Sequence, residues 1–204
     1  MRTRASAIRL LVAALLLSPV YALATLLTFD ELPRQPVTGL TFNGVAFHFN
    51  VGGLNSSDAN YASGGPGVGA FVHDPSLEGN AAGVLTLDFD TPTSVLQFGL
   101  AMSTLLAVPA GLHVALFDQR LIPLGIQTVD LSRTVTFAEG RFNYAGLPIS
   151  RAIIDFDEGA ASRFALDNLS FGVVPEPGTY VLMFVGLAAL ALKRVAEGKT
   201  RPPQ

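Results

Sequence analysis

From residue 25 to residue 172, apolar and polar residues alternate in short runs separated by turn residues. In residues 84–89, Leu85, Leu87 and Phe89 fall on one side and Thr86 and Asp88 on the other. Residues 95–102 set Leu96, Phe98, Leu100 and Met102 against Val95, Gln97, Gly99 and Ala101. Residues 112–117 set Leu112, Val114 and Leu116 against His113, Ala115 and Phe117, and the runs 152–157 and 164–171 continue the pattern. Side chains two apart share a face of a strand, so alternation over four to eight residues predicts half-buried strands. Thr91-Pro92, the run 108–111, Glu139-Gly140 and Leu147-Pro148 read as breaks between them. No stretch carries a helical stripe. About eight to ten short strands at this spacing predict an all-β fold, an antiparallel β-sandwich or jelly roll; a parallel sheet needs crossover helices. The region 51–69, rich in Gly, Ser and Asn, fits no strand over most of its length and predicts a loop.

The two ends follow a different rule. Arg2, Arg4 and Arg9 open the chain, residues 10–17 are apolar, and Ala22-Leu23-Ala24 closes the segment. A basic start, a short apolar run and an A-x-A site define a secretory signal peptide, here residues 1–24, a helix removed by signal peptidase. At the other end, residues 180–192 are uncharged and mainly apolar, and Lys193 and Arg194 follow. Thirteen helical residues reach only about 20 Å of a ~30 Å hydrocarbon core. Extension to about residue 179 and snorkelling of the basic side chains make up part of the difference, so a transmembrane helix is expected over about 179–192. Basic residues after it predict a cytoplasmic C-terminus. These ends account for a mean hydropathy of +0.44, high for a water-soluble chain.

They also mask the charge of the middle. The whole chain carries −3, but both lysines, Lys193 and Lys199, lie in the tail. Residues 25–172 hold six arginines against fourteen carboxylates, a balance of −8. Such a surface suits neither nucleic acid nor an anionic bilayer, which both call for clustered basic side chains. The absence of cysteine excludes disulfides, zinc–thiolate sites and thiol catalysis. Stability must come from core burial, with phenylalanine as its main supplier.

Candidate chemistry is sparse. His48, His73 and His113 lie far apart, without a metalloprotease or nucleophile-elbow motif. The pairs Asp88/Asp90 and Asp155/Asp157 sit at strand ends, and the chain has no tryptophan to serve as a sugar platform. These features predict no catalytic residues. A cation site is the sharper expectation: Asp30 and Glu31 end the first strand, Asp167 and Asn168 lie in the last, and first and last strands of sandwiches are often neighbours. Four such oxygen donors suit Ca2+, the one cofactor the pattern admits, while the alternative is a pair of structural hydrogen-bonding residues at 167–168. In the glycine-rich loop, Asn55, Asp58, Asn60 and Tyr61 are the candidate ligand contacts.

The tail resembles the PEP-CTERM sorting signal. The resemblance rests on Val174-Pro175-Glu176-Pro177-Gly178, the apolar segment with Gly186-Leu187, and the membrane-stop pair Lys193-Arg194, and it spans about residues 173–204. It implies recognition by an exosortase of a Gram-negative envelope, with cleavage near the sorting motif Pro175-Glu176-Pro177 and transfer to the envelope or release. The run 162–177 is similar to the end of the β-sandwich modules that precede such tails. That likeness implies a context of exopolysaccharide and biofilm. The expectation is therefore an exported, non-enzymatic envelope or matrix protein with a sandwich over 25–172. It begins as an inner-membrane-anchored precursor and meets exosortase, signal peptidase, the membrane and exopolysaccharide. A structural or adhesive surface protein without a small ligand is the alternative, and a carbohydrate-active hydrolase the third reading.

Overall fold

Leu85, Leu87, Leu96, Phe98, Leu100, Met102, Leu112, Val114 and Leu116 are all buried, so the alternating runs do turn one face inward. The computed structural model describes residues 24–173. They form eleven strands: β1 (Thr25–Leu27), β2 (Thr41–Phe42), β3 (Val45–Val51), β4 (Leu54–Asn55), β5 (Asn60–Ala62), β6 (Ser76–Asn80), β7 (Gly83–Met102), β8 (Val108–Phe117), β9 (Pro123–Arg133), β10 (Ala138–Phe156) and β11 (Arg163–Gly172). Every pairing between them is antiparallel. Among the described residues there is no helix. The signal segment, the expected membrane helix and the sorting motif lie outside the described residues, apart from Ala24 and Val173.

The proline pairs fall inside strands instead of ending them. β7 runs 20 residues through Thr91-Pro92, and β10 runs 19 through Leu147-Pro148. The two strands pair with each other on both sides of these points, with register shifts between Ala145 and Ile149 and between Ile149 and Arg151. A proline lacks the amide hydrogen for the ladder but is tolerated where the ladder is already interrupted by a bulge. Each proline marks the place where a continuous strand changes layers.

The result is one hydrogen-bonded sheet folded into two layers. In the first, the early half of β7 lies between β3 and the late half of β10, and β8 and β9 follow outward. In the second, the late half of β7 lies between β11 and the early half of β10; β6 and then β5 extend it, and β1 pairs with the far end of β11. The glycine-rich region contains the short strands β4 and β5.

Aromatic rings join the layers. Phe164 of β11 stacks on Phe156 of β10 with centroids 3.9 Å apart and meets Phe49 of β3 at 5.9 Å. Phe89 of β7 packs on Phe171 of β11 at 5.1 Å. Such pairs add about 0.5–1.5 kcal/mol each beyond area burial. Phe164 contacts rings from two strands of the opposite layer, so Phe164→Ala is expected to destabilise the protein by about 3–5 kcal/mol, read as a lowered denaturant midpoint.

Candidate functional site

Sheet faces turned to solvent are normally polar, yet Ala101 of β7 and Ala165 of β11 point outward and are buried. Val72 covers them, with Phe137 packed alongside. Val72 belongs to a loop, residues 63–75, that connects β5 to β6 and lies across the outer face of the second layer. Gly99 makes the approach possible: a Cβ there would stand 2.1 Å from the carbonyl oxygen of Phe71.

Two buried carboxylates hold the middle of this loop, and a third, Glu78, accepts from the Gly64 amide near its start at 2.8 Å. Glu139, 2% exposed, accepts from the amides of Ala70 at 2.7 Å and Phe71 at 2.9 Å through Oε2. Asp167, also 2% exposed, accepts from the His73 amide at 3.0 Å. Asn168 donates its side-chain amide to the Phe71 carbonyl at 3.2 Å. Loop amides with no strand partner thus find charged acceptors, and the buried charges find donors. Beside the loop a groove of about 400 Å³ remains, lined by Leu26, Phe71, His73, Gln97, Arg141 and Ser170. Phe71 is exposed at its edge, and Arg141 Nη2 donates to Gln97 Oε1 at 2.9 Å.

β1 does pair with β11, Leu27 opposite Leu169, which brings the first-strand acids towards the Asp-Asn pair. The four side chains nevertheless do not converge as an oxygen cage. Exposed Asp30 and Glu31 turn back on Thr28, whose amide donates to Glu31 Oε1 at 2.8 Å and whose hydroxyl donates to both acids. Asp167 Oδ1 accepts from the Asn168 amide at 2.6 Å and Oδ2 from the Asn168 side chain at 2.9 Å. Asn168 therefore presents a donor towards Asp167, and its own backbone sits at φ 54° in the bulge between Asp167 and Ser170. Among the described residues no group of three or more His, Asp or Glu is placed to hold a metal ion.

The loop candidates also separate. Asn55 is exposed on β4, and Asp58 pairs with Arg163 Nη1 at 3.1 Å. Asn60 and Tyr61, on edge strand β5, line a cleft of about 390 Å³ with Leu32, Arg34, Glu78 and Arg163. No local pattern marks Arg34, Glu78 or Arg163 in advance, since they come from three separate segments.

The remaining candidates are committed elsewhere. Asp88 forms a two-point pair with Arg151, at 2.5 and 3.0 Å, and lies 3.6 Å from His48 Nε2. That arrangement is a cross-strand charge ladder on an outer face.

Residues 173–195 match the PEP-CTERM protein-sorting motif, beginning one residue after β11 ends. No curated protein matches the chain. Among solved structures it is similar to a family 29 carbohydrate-binding module from Piromyces equi, at 11% identity and TM-score 0.41, covering 75% of this chain and 91% of that one. A second family 29 module is matched at 12% identity and TM-score 0.38, over 75% and 90% of the two chains. The enzymatically active domain of a tailspike protein from bacteriophage CBA120 is matched at 10% identity and TM-score 0.36, over 68% of this chain and 22% of that one.

Burial pushes the Asp167 carboxyl up from 3.8 to about 6, against the lowering effect of its hydrogen bonds from His73 and Asn168; the Asp30 charge adds slightly to the rise. The folded protein therefore holds this proton more tightly than the unfolded chain, and the cost of the buried charge is present in full above pH 6. Lowering the pH from 7 through 6 towards 4 is expected to add ~1–3 kcal/mol of stability from this group. Asp167→Asn should flatten that rise in a series of denaturant midpoints. An unchanged pH slope in the variant would mean that the rise comes from other groups.

Proposed function

We propose that this chain is a non-enzymatic protein of the cell envelope or extracellular matrix, delivered by exosortase and in contact with polysaccharide. The sorting motif at residues 173–195 carries the reading. It makes the protein one exported and sorted through exosortase, and it follows directly on the last strand. Its Pro175-Glu176-Pro177 is the recognition element in this proposal. The apolar run after it holds that element at the inner membrane, and Lys193-Arg194 stops transfer. Signal peptidase removes residues 1–24, leaving the sandwich over 25–172 outside and the basic end inside until the tail is processed.

The non-enzymatic part draws support from how the acids are used. Asp88 is engaged by Arg151, and Glu139 and Asp167 are buried and engaged by loop amides. A general acid or base must reach a proton on the substrate, whereas Asp88 faces a guanidinium and Glu139 and Asp167 face the protein's own backbone amides. Polysaccharide is favoured over nucleic acid by the charge of −8 across residues 25–172.

Replacing Pro175, Glu176 and Pro177 together by alanine should leave export intact and trap the protein as a membrane-bound precursor in its host. Fractionation and immunoblotting check this. Equal release of variant and wild type would overturn the sorting role of the motif.

A further inference from the structure

Phe71 is an exposed aromatic residue on a backbone that the protein fixes at every step. Its amide donates to buried Glu139 at 2.9 Å, and its carbonyl accepts from the Asn168 side chain at 3.2 Å. Ala70 and His73 donate their amides to Glu139 and Asp167, and Val72 between them is fully buried. The glycine at position 99 lets the Phe71 backbone lie this close to β7. Two desolvated carboxylates and a glycine thus hold in place a ring that stays 40% exposed. A ring left in solvent adds little to the core, so a rigid backbone beneath it suits a surface contact made at low ordering cost.

The sheet register places its neighbours. Gly99 of β7 lies between Arg141 of β10 and Asp167 of β11. In the adjoining row of the same face, Gln97 lies opposite Ser170, which in turn faces Leu26 of β1. The groove of about 400 Å³ runs over these rows, with Phe71 and His73 entering it from the loop. Its contact groups are open to solvent: Phe71, His73, Arg141 and Leu26 are exposed, and Gln97 and Ser170 are half-buried.

Charge selects the occupant. Arg141 makes no ion pair among the described residues; its Nη2 donates to Gln97 Oε1 at 2.9 Å and the side chain is otherwise open. Among the described residues no carboxylate lines the groove. The nearest acids in the sheet, Glu139 and Asp167, are 2% exposed and turned to loop amides. An exposed guanidinium without an acidic side chain in its groove matches a carboxylate, which it can hold through two parallel N–H donors. One such group matches one carboxylate and not the phosphate run of a nucleic acid. The charge of −8 over residues 25–172 opposes anions at long range, but salt at ~0.15 M screens it beyond about 8 Å. Gln97 and Ser170 supply hydrogen-bonding groups for hydroxyls, and Phe71 supplies apolar surface for the C–H face of a sugar ring.

We propose that this groove binds a uronate unit of an acidic polysaccharide, with the carboxylate on Arg141 and the ring against Phe71. The assignment rests on the polysaccharide reading and gives it a chemical class and a place, the outer face of the second layer. The test uses the full chain in a zwitterionic detergent at ~0.15 M salt. Immobilised polygalacturonate and polymannuronate are the probes. Galactan and mannan are their neutral counterparts, and dextran sulfate is the control for bulk negative charge. Wild type should bind at least one polyuronate and prefer it to its neutral counterpart and to dextran sulfate. Arg141→Gln should weaken that binding by about tenfold or more with the melting temperature unchanged, because the side chain is exposed. Phe71→Ala should weaken it as well, whereas Arg120→Gln, on the turn between β8 and β9, should not. If wild type binds a polyuronate and Arg141→Gln binds it equally well, the groove assignment falls and the polysaccharide reading stands. Equal loss in Arg120→Gln, or a preference for dextran sulfate, would reduce the effect to bulk charge and overturn the assignment too. Preference for the neutral polymers overturns the uronate class alone. If wild type binds none of the polymers, the assignment and the polysaccharide reading both fall.

Discussion

The pairing of β7 with β10 is the constraint on which this fold depends. The two strands stay hydrogen-bonded to each other from one layer into the next, and every other main strand is added to one of them or to a neighbour of one. A sandwich made of two separate sheets relies on side-chain packing to hold its layers in register. Here the backbone carries the register through the fold, and the bulges near Ile149 set the bend. In a chain without cysteine, that continuity does what a cross-link between layers would otherwise do. The Phe156–Phe164 and Phe89–Phe171 contacts then fill a space whose dimensions the backbone has already set.

Continuity also explains what could and could not be seen in advance. The inward faces of β7, β8 and β11 were legible because burial on one side imposes a period of two on the residues that make them. The long strands were not, because proline is read as a break and only the tertiary ladder shows that β7 passes through Pro92. β6 escaped for a different reason. In Ser76–Asn80, Ser76, Leu77, Glu78 and Gly79 are all buried, so no polar face remains to alternate with the apolar one. Loop 63–75 covers one side of that region, and coverage by a loop leaves no periodic trace.

The candidate site was legible in residue type more than in role. Asp167 and Asn168 stood out, and β1 does lie beside β11, but neither observation reveals where the lone pairs point. Those of Asp167 receive the amides of His73 and Asn168. Glu139 appeared beside a glycine that read as a strand end, and it lies instead within β10, holding a segment nearly seventy residues away in sequence. Long-range acceptors of this kind carry no local signature, because the amides they serve are chosen by loop geometry. Asn60 and Tyr61 were picked out by belonging to a glycine-rich segment; Arg34, Glu78 and Arg163 complete their cleft only through folding.

The balance between tail and domain follows from the same physics. The sorting signal is recognisable from adjacent residues alone, as a short motif at 173–195. A cleft on a sandwich is assembled from strand edges and the loops between them, and its lining is spread over positions as distant as Arg34 and Arg163. Two of the domain's buried carboxylates, Glu139 and Asp167, illustrate the cost of such assembly: each is an expensive charge to desolvate, and each orders a loop that apolar contact through Val72 alone would leave with bare amides. Ordering that loop in turn sets the position of residues on both of its flanks, Ser63, Gly64 and Pro75 at the cleft and Phe71 and His73 at the groove. Glu139 and Asp167 therefore shape the outer face at one remove, by fixing the loop backbone that flanks the cleft and the groove.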